Sequence, residues 1–225
     1  MPRVGVFGGS FNPVHLGHLL LADEILELLQ LDPILFVPAS EPPHKPARGL
    51  APAQDRYAMT ELAIRGNPHF AISDLELRRP GPSYTVDTLQ ALKGAGGRDL
   101  ELHLILGSET FLDLLSWRDP QRLARLARLV VIPRAGSAFD PEGIQAQKVL
   151  KEIEQERWIR VPPLRPPAEI GKGVFLVAAT SLPISSSELR RRAREGRSLA
   201  YRVPEPVRAY ILERRLYREE SAGGS

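Results

Sequence analysis

Two histidines three residues apart, His15 and His18, close the stretch Gly8-Gly9-Ser10-Phe11-Asn12-Pro13-Val14-His15-Leu16-Gly17-His18. Imidazoles can bind a phosphate, ligate a metal or move a proton, and their neighbours decide between these. On a helix, residues three apart share a face, and Gly17 between them would keep that face low enough for a phosphate to sit down. Zinc is the rival. It needs further protein ligands, and the chain has no cysteine and no other His or acid at ligand spacing nearby. Gly8 and Gly9 follow the apolar run Val4-Gly5-Val6-Phe7, which reads as a buried strand, and precede residues 19–26, which read as a helix. A strand, a glycine turn and a helix start place unpaired N–H groups and partial positive charge beside the imidazoles. Phosphate binding is the expected role of His15 and His18, with Gly9, Ser10 and Phe11 presenting backbone or hydroxyl donors and Gly8 and Gly17 letting the ligand approach closely.

A second polar cluster lies far downstream, at Ile184-Ser185-Ser186-Ser187-Glu188-Leu189-Arg190. Ser185 with Glu188 makes a capping box, which by itself explains only two of the seven residues. A capped helix start carrying hydroxyls and an arginine is also a good cradle for a triphosphate. Arg191, Arg192 and Arg194 read as solvated. The common nucleotide fingerprints are absent: Gly5-Val6-Phe7-Gly8-Gly9 is not G-x-G-x-x-G, and no G-K-[ST] follows a glycine loop.

A glycine turn with H-x-G-H, paired with a distant element like I-S-S-T-x-I-R, resembles the superfamily of α-phosphate nucleotidyltransferases. The pair is far more specific than either half. Pro42-Pro43-His44-Lys45, Gly81-Pro82-Ser83-Tyr84-Thr85-Val86-Asp87-Thr88-Leu89, Trp117-Arg118-Asp119 and Val203-Pro204-Glu205-Pro206-Val207 narrow the resemblance, along nearly the whole chain, to bacterial nicotinate-mononucleotide adenylyltransferases. That resemblance implies transfer of the adenylyl group of ATP, with its Mg²⁺, to nicotinate mononucleotide, giving nicotinate adenine dinucleotide and pyrophosphate. It implies catalytic roles for His15, His18 and Arg190, and ATP contacts from Gly107, Glu109, Ile184, Ser185, Ser186 and Ser187 in addition to the glycine turn. The family usually has Asp where this chain has Glu109, one methylene longer.

For the mononucleotide, the resemblance implies stacking of the pyridine ring on Trp117. Its carboxylate would be held by amides of Ser83, Tyr84 and Thr85 and beside the Trp, at Arg118. Stacking of this kind contributes ~1–3 kcal/mol, and a carboxylate, unlike a carboxamide, accepts from every donor around it. A Trp in such a loop can equally be a core anchor. His44 and Lys45 sit in a proline-stiffened loop that could close over phosphates or be a plain exposed turn, and Arg134 follows a strand's carboxyl end, where ligands of open α/β sheets bind. Rival readings are an adenylyltransferase for nicotinamide mononucleotide or phosphopantetheine, a class I aminoacyl-tRNA synthetase, for which the chain is too short, and a non-catalytic nucleotide-binding module.

Positioning these groups falls to an ordinary globular chain. Its 225 residues, 43% apolar, suit one generous domain, expected over residues 1–218 with a disordered tail at 219–225. A net charge of +3 suits anionic ligands and is too mild to argue for nucleic acid. No run is long enough for a membrane helix and the N-terminus has no signal-like stretch, so a cytoplasmic protein is expected, possible as a homo-oligomer. Strand and helix patterns alternate, giving an α/β fold: a Rossmann-like, doubly wound parallel sheet with C-terminal helices. Strands are expected at 4–7, 33–38, 70–77, 102–106, 129–133 and 174–177, and helices at 19–26, 52–65, 84–93, 142–157, 186–195 and 205–214. Residues 94–97 read as a flexible turn, 162–167 as a proline-rich link, and His69 and His103 as structural.

Overall fold

The computed structural model describes residues 1–42, 49–97, 99–133, 136, 138–162 and 173–218. The expected roles of His44, Lys45 and Arg134, the tail and most of the proline-rich link lie outside these residues.

Every strand of the sheet runs parallel to its neighbours, and from β1 to β5 each strand is followed by a helix that carries the chain back. In chain order the elements are β1 (Arg3–Gly9), α1 (Leu16–Leu28), β2 (Ile34–Pro38), α2 (Ala53–Ile64), β3 (Phe70–Ile72), α3 (Leu75–Arg78), α4 (Thr85–Gly96), β4 (Glu101–Gly107), α5 (Ser108–Leu112), a 3-10 turn at Leu114–Ser116 and α6 (Pro120–Leu126). Then come β5 (Arg128–Ile132), α7 (Ile144–Glu152), β6 (Trp158–Val161), β7 (Val174–Val177), α8 (Ser186–Arg194) and α9 (Glu205–Glu213). The sheet order is β3-β2-β1-β4-β5-β7-β6. The chain winds outward from β1 to one edge, returns to the middle at β4 and winds to the other. A crevice therefore opens beyond the carboxyl ends of β1 and β4, where the winding reverses.

Alternation along the strands builds two apolar layers. Leu102, Leu104 and Leu106 of β4 join Leu129 and Val131 of β5 under α4, α5, α6 and α7. Ile105, Val130, Ile132, Phe175 and Val177 face the other way, under α1, α2, α8 and α9. The doubly wound reading thus holds, with four local differences.

The strand expected at 70–77 stops at Ile72. Ser73 Oγ accepts the Leu75 N–H (3.2 Å) and the Asp74 carbonyl accepts the Arg78 N–H (3.0 Å), which turns the next residues into α3 and draws Glu76 inside to accept from the Thr88 hydroxyl (2.7 Å). Helix α4 continues through the expected turn at 94–97, and only Gly97 leaves it, at φ 78°. Helix α7 ends at Glu152, not 157, with Glu154 in the left-handed region (φ 59°) redirecting the chain into β6. Sequence pattern missed that strand because Trp158-Ile159-Arg160-Val161 is four residues long with a charge in the middle, and among the described residues it pairs only with β7.

His103 is structural, as expected, and carries a pH dependence. It lies in β4 at 3% exposure, its Nδ1 has no hydrogen-bond partner among the described residues, and burial, with like charge from Arg128 and Arg3, lowers its pKa from 6.5 to about 4. The unfolded imidazole takes up a proton as pH falls through 6.5, and the folded one does so only near 4. The stability associated with neutral His103 is therefore fully present above pH 6.5 and lost as pH falls toward 4. Between pH 7 and 5, urea unfolding should show wild type losing about 2 kcal/mol more than His103→Leu. Equal losses in the two proteins would contradict the assignment.

Candidate active site

The two histidines meet more closely than helical spacing alone requires. His15 is the N-cap of α1, in extended conformation, and His18 is the third helical residue. The His15 N–H donates to His18 Nδ1 (3.2 Å), the His15 carbonyl accepts the His18 N–H (2.9 Å), and the two rings stack at 3.7 Å between centroids and 26° between planes. Because Nδ1 accepts, the proton of the neutral His18 ring is on Nε2, making that nitrogen the donor. Phe11, at φ 42°, sets its ring edge-on to His18 at 5.3 Å.

Glycines here answer to two different demands. A Cβ on Gly17 would lie 3.1 Å from His15 Nδ1, and one on Gly9 would lie 3.3 Å from the Phe11 ring, so at both positions a side chain would press on the aromatic packing. At Gly8 a Cβ would meet nothing within 4 Å, and at Gly107 only Thr110 Oγ1 at 4.0 Å. These two residues sit at the carboxyl ends of β1 and β4, on the crevice.

The second cluster reaches the first across more than 170 residues of chain. Ser185 caps α8, its Oγ accepting the Glu188 N–H (3.2 Å). Ser186 Oγ donates to the Pro13 carbonyl (2.9 Å), and the Arg190 guanidinium donates to the Asn12 carbonyl (2.9 Å) and to Ser187 Oγ (3.3 Å). Ile184 packs against the apolar layer beside α1. Arg190 and the α8 start are thereby fixed to the turn that leads into His15.

Across the crevice, α4 begins at Tyr84, and the N–H groups of Thr85 and Val86 fall in the helix's first turn, where no intrahelical acceptor exists. The Arg118 guanidinium lies 4.8 Å over the Tyr84 ring and 3.3 Å from Asp87, which ties the loop carrying Trp117 to this helix start. Trp117 is half-buried against the α4–α7 layer, and its main-chain N–H donates to the Leu114 carbonyl (3.0 Å). Ser83 differs from expectation. Its N–H donates to the Glu41 carbonyl, and its Oγ accepts from the Ser40 N–H (3.0 Å), so its polar groups hold the loop after β2. Glu109 is exposed in the first turn of α5, next to Gly107.

Residues that sequence reading missed support this loop from behind. Arg56 of α2 is fully buried, and its guanidinium donates to four main-chain carbonyls: Ala51 (2.9 Å), Ser10 (2.9 Å), Ala39 (2.5 Å) and Ser40 (2.8 Å). Its sequence signal was its place on the inward stripe of α2 with Met59, Thr60 and Ile64. Asn12, 4% exposed, donates from Nδ2 to the Gly49 carbonyl (2.9 Å) and accepts at Oδ1 from the Ala51 N–H (3.0 Å) and the Tyr217 hydroxyl (2.9 Å).

A parallel sheet whose crevice carries paired imidazoles at one helix start and a serine-arginine cluster at another is the working end of a nucleotidyltransferase, and the family model described as cytidylyltransferase-like matches residues 6–192, spanning both clusters. Among relatives, a protein of Thermomicrobium roseum named probable nicotinate-nucleotide adenylyltransferase is 43% identical over 222 residues, covering 99% of this chain and 94% of its own. One of the same name from Thermus thermophilus is 44% identical over 216 residues, covering 96% of this chain and 100% of its own. The chain belongs to the nicotinate-nucleotide adenylyltransferase family. Its fold matches a solved structure of Plasmodium falciparum nicotinic acid mononucleotide adenylyltransferase complexed with NaAD, with a TM-score of 0.73 at 21% identity over 96% of this chain and 98% of that one.

Arg56→Met should leave four inward carbonyls without their donor and lower stability by about 3–5 kcal/mol in urea unfolding. Arg56→Lys should recover part of the loss. A stability change below about 1 kcal/mol in Arg56→Met would show that the clamp is dispensable.

Proposed function

We propose that this chain transfers the adenylyl group of ATP to nicotinate mononucleotide, forming nicotinate adenine dinucleotide and pyrophosphate. The observation that carries the reading is the convergence of His15 and His18 with Ser186 and Arg190 on one turn at the sheet's reversal point. The mononucleotide's 5′-phosphate oxygen attacks the α-phosphorus of ATP, the bond from that phosphorus to the bridging oxygen breaks, and pyrophosphate leaves with the electron pair. An anionic nucleophile needs no base, so in-line positioning and neutralisation of charge carry the rate. His18 Nε2–H and Arg190 serve the phosphates in flight. Gly8 and Gly107 leave room for the nucleotide, and Ser185 to Ser187 line the triphosphate.

Trp117 stacks on the pyridine ring, and the N–H groups at the start of α4, at Thr85 and Val86, receive its carboxylate. A neutral carboxamide would bring its own N–H groups toward these donors, and the acid is the favoured substrate for that reason. Mg²⁺ enters on the triphosphate. The described donors are N–H, guanidinium and hydroxyl groups that suit phosphate oxygens, and no group of three His, Asp or Glu that could hold a metal occurs among the described residues. When bound, the ion offsets negative charge on the phosphates. No helix of the described residues is long and apolar enough to cross a membrane, and the cytoplasm is the proposed location.

Pyrophosphate release with ATP and Mg²⁺ should be fastest with nicotinate mononucleotide, slower with nicotinamide mononucleotide, absent with phosphopantetheine, and abolished by a chelator until Mg²⁺ is restored. Release that is independent of the mononucleotide, or no release at all, would overturn the reading. His18→Ala should lower kcat by about 100-fold or more while unfolding cooperatively like wild type. Trp117→Ala should raise KM for the mononucleotide roughly 10-fold or more and leave that for ATP little changed; equal increases would rule out a pyridine platform.

A further inference from the structure

The chain does not end its structural work at α9. Arg215 and Tyr217 both take left-handed backbone angles (φ 50° and 65°), a conformation that costs non-glycine residues roughly 1 kcal/mol or more each. The bend turns Leu216 and Tyr217 onto the apolar layer beside α1, and the Tyr217 hydroxyl donates to Asn12 Oδ1 at 2.9 Å. Docking of α9 does not depend on that bond. Val207 and Ile211 are buried, and the Tyr210 hydroxyl already ties the helix to Asp55 of α2 at 2.7 Å.

What the Tyr217 bond reaches is the hinge of the phosphate site. The Asn12 carboxamide is held by three bonds, to the Gly49 carbonyl, the Ala51 N–H and the Tyr217 hydroxyl, and the main-chain carbonyl of the same residue receives Arg190. Rotation of the carboxamide would shift the peptide that Arg190 is aimed by. Burial raises the phenol's pKa, against the opposing pull of Arg190 and Arg56, so the hydroxyl stays a donor.

We propose that Tyr217 is a positioning residue for the transfer step, acting through Asn12 to aim Arg190 at the triphosphate; this rests on the adenylyltransferase reading above. Its contribution is made to geometry in the transition state and not to binding of either substrate. Tyr217→Phe removes only the hydroxyl and keeps the ring in place.

Steady-state rates with saturating ATP and Mg²⁺, using whichever mononucleotide the wild type turns over fastest, test the role. Tyr217→Phe should lower kcat about 10-fold with both KM values within about twofold. Tyr210→Phe, the control that loosens α9 alone, should lower the thermal midpoint and leave kcat unchanged. In an Arg190→Lys background, Tyr217→Phe should change kcat by less than about twofold, since its route of action is already altered. The proposal is overturned by a wild-type kcat in Tyr217→Phe, by the full 10-fold loss persisting beside Arg190→Lys, or by loss of cooperative unfolding in Tyr217→Phe, which would make the contact purely architectural. The identity of the preferred mononucleotide reports separately on the reading of function, so the two can fail independently.

Discussion

A turn that offers its N–H groups to an anion must direct carbonyls the other way, and buried carbonyls need donors. The turn after β1 meets this constraint with three side chains drawn from two helices, α2 and α8. Arg56 takes the Ser10 carbonyl, Arg190 the Asn12 carbonyl and Ser186 the Pro13 carbonyl. None of these bonds can form until α2 and α8 have packed onto the sheet. The proposed phosphate site is therefore a product of the whole fold, and its precision depends on cations whose charge is balanced by main-chain dipoles.

The two apolar layers divide the labour between the substrates. Helices α1 and α8 share one layer, so the histidines and Arg190 reach each other over the same face of the sheet. Helix α4 and Trp117 belong to the opposite layer, so the groups proposed for the mononucleotide approach from the other side. In the proposed reaction, attacking and attacked phosphates then meet over the carboxyl ends of the central strands, β1 and β4, beyond the last paired residues Val6 and Leu104. An in-line displacement suits this arrangement, since its two reactants must arrive from opposite directions.

Much of this was legible in the residues. The glycine turn, the H-x-G-H helix start and the Ser185–Glu188 cap are local patterns, and the structure puts them where local rules say. Arg56, Asn12 and Tyr217 were not legible in the same way. Arg56 sits on an otherwise inward stripe, and nothing nearby in sequence announces the carbonyls of Ser10, Ala39 and Ser40. The bond between Asn12 and Tyr217 joins residues 205 positions apart. Ser83 shows the reverse case, a residue noticed for its motif whose hydroxyl and N–H secure the neighbouring loop. Strand β6 escaped because an edge strand of four residues carries too little periodicity to be told from loop.

Gly8 and Gly107 differ from the other glycines of the site in that no protein atom needs their missing side chains, and neither has a positive φ. Alanine at either position would meet the folding requirements of the chain. A selection for abundant, soluble, well-folded protein would accept both changes, and only a demand for nucleotide in the crevice would reject them. On the proposed function, these two positions hold information about the ligand's shape that is independent of stability, and libraries aimed at altered nucleotide specificity can vary them without eroding the scaffold.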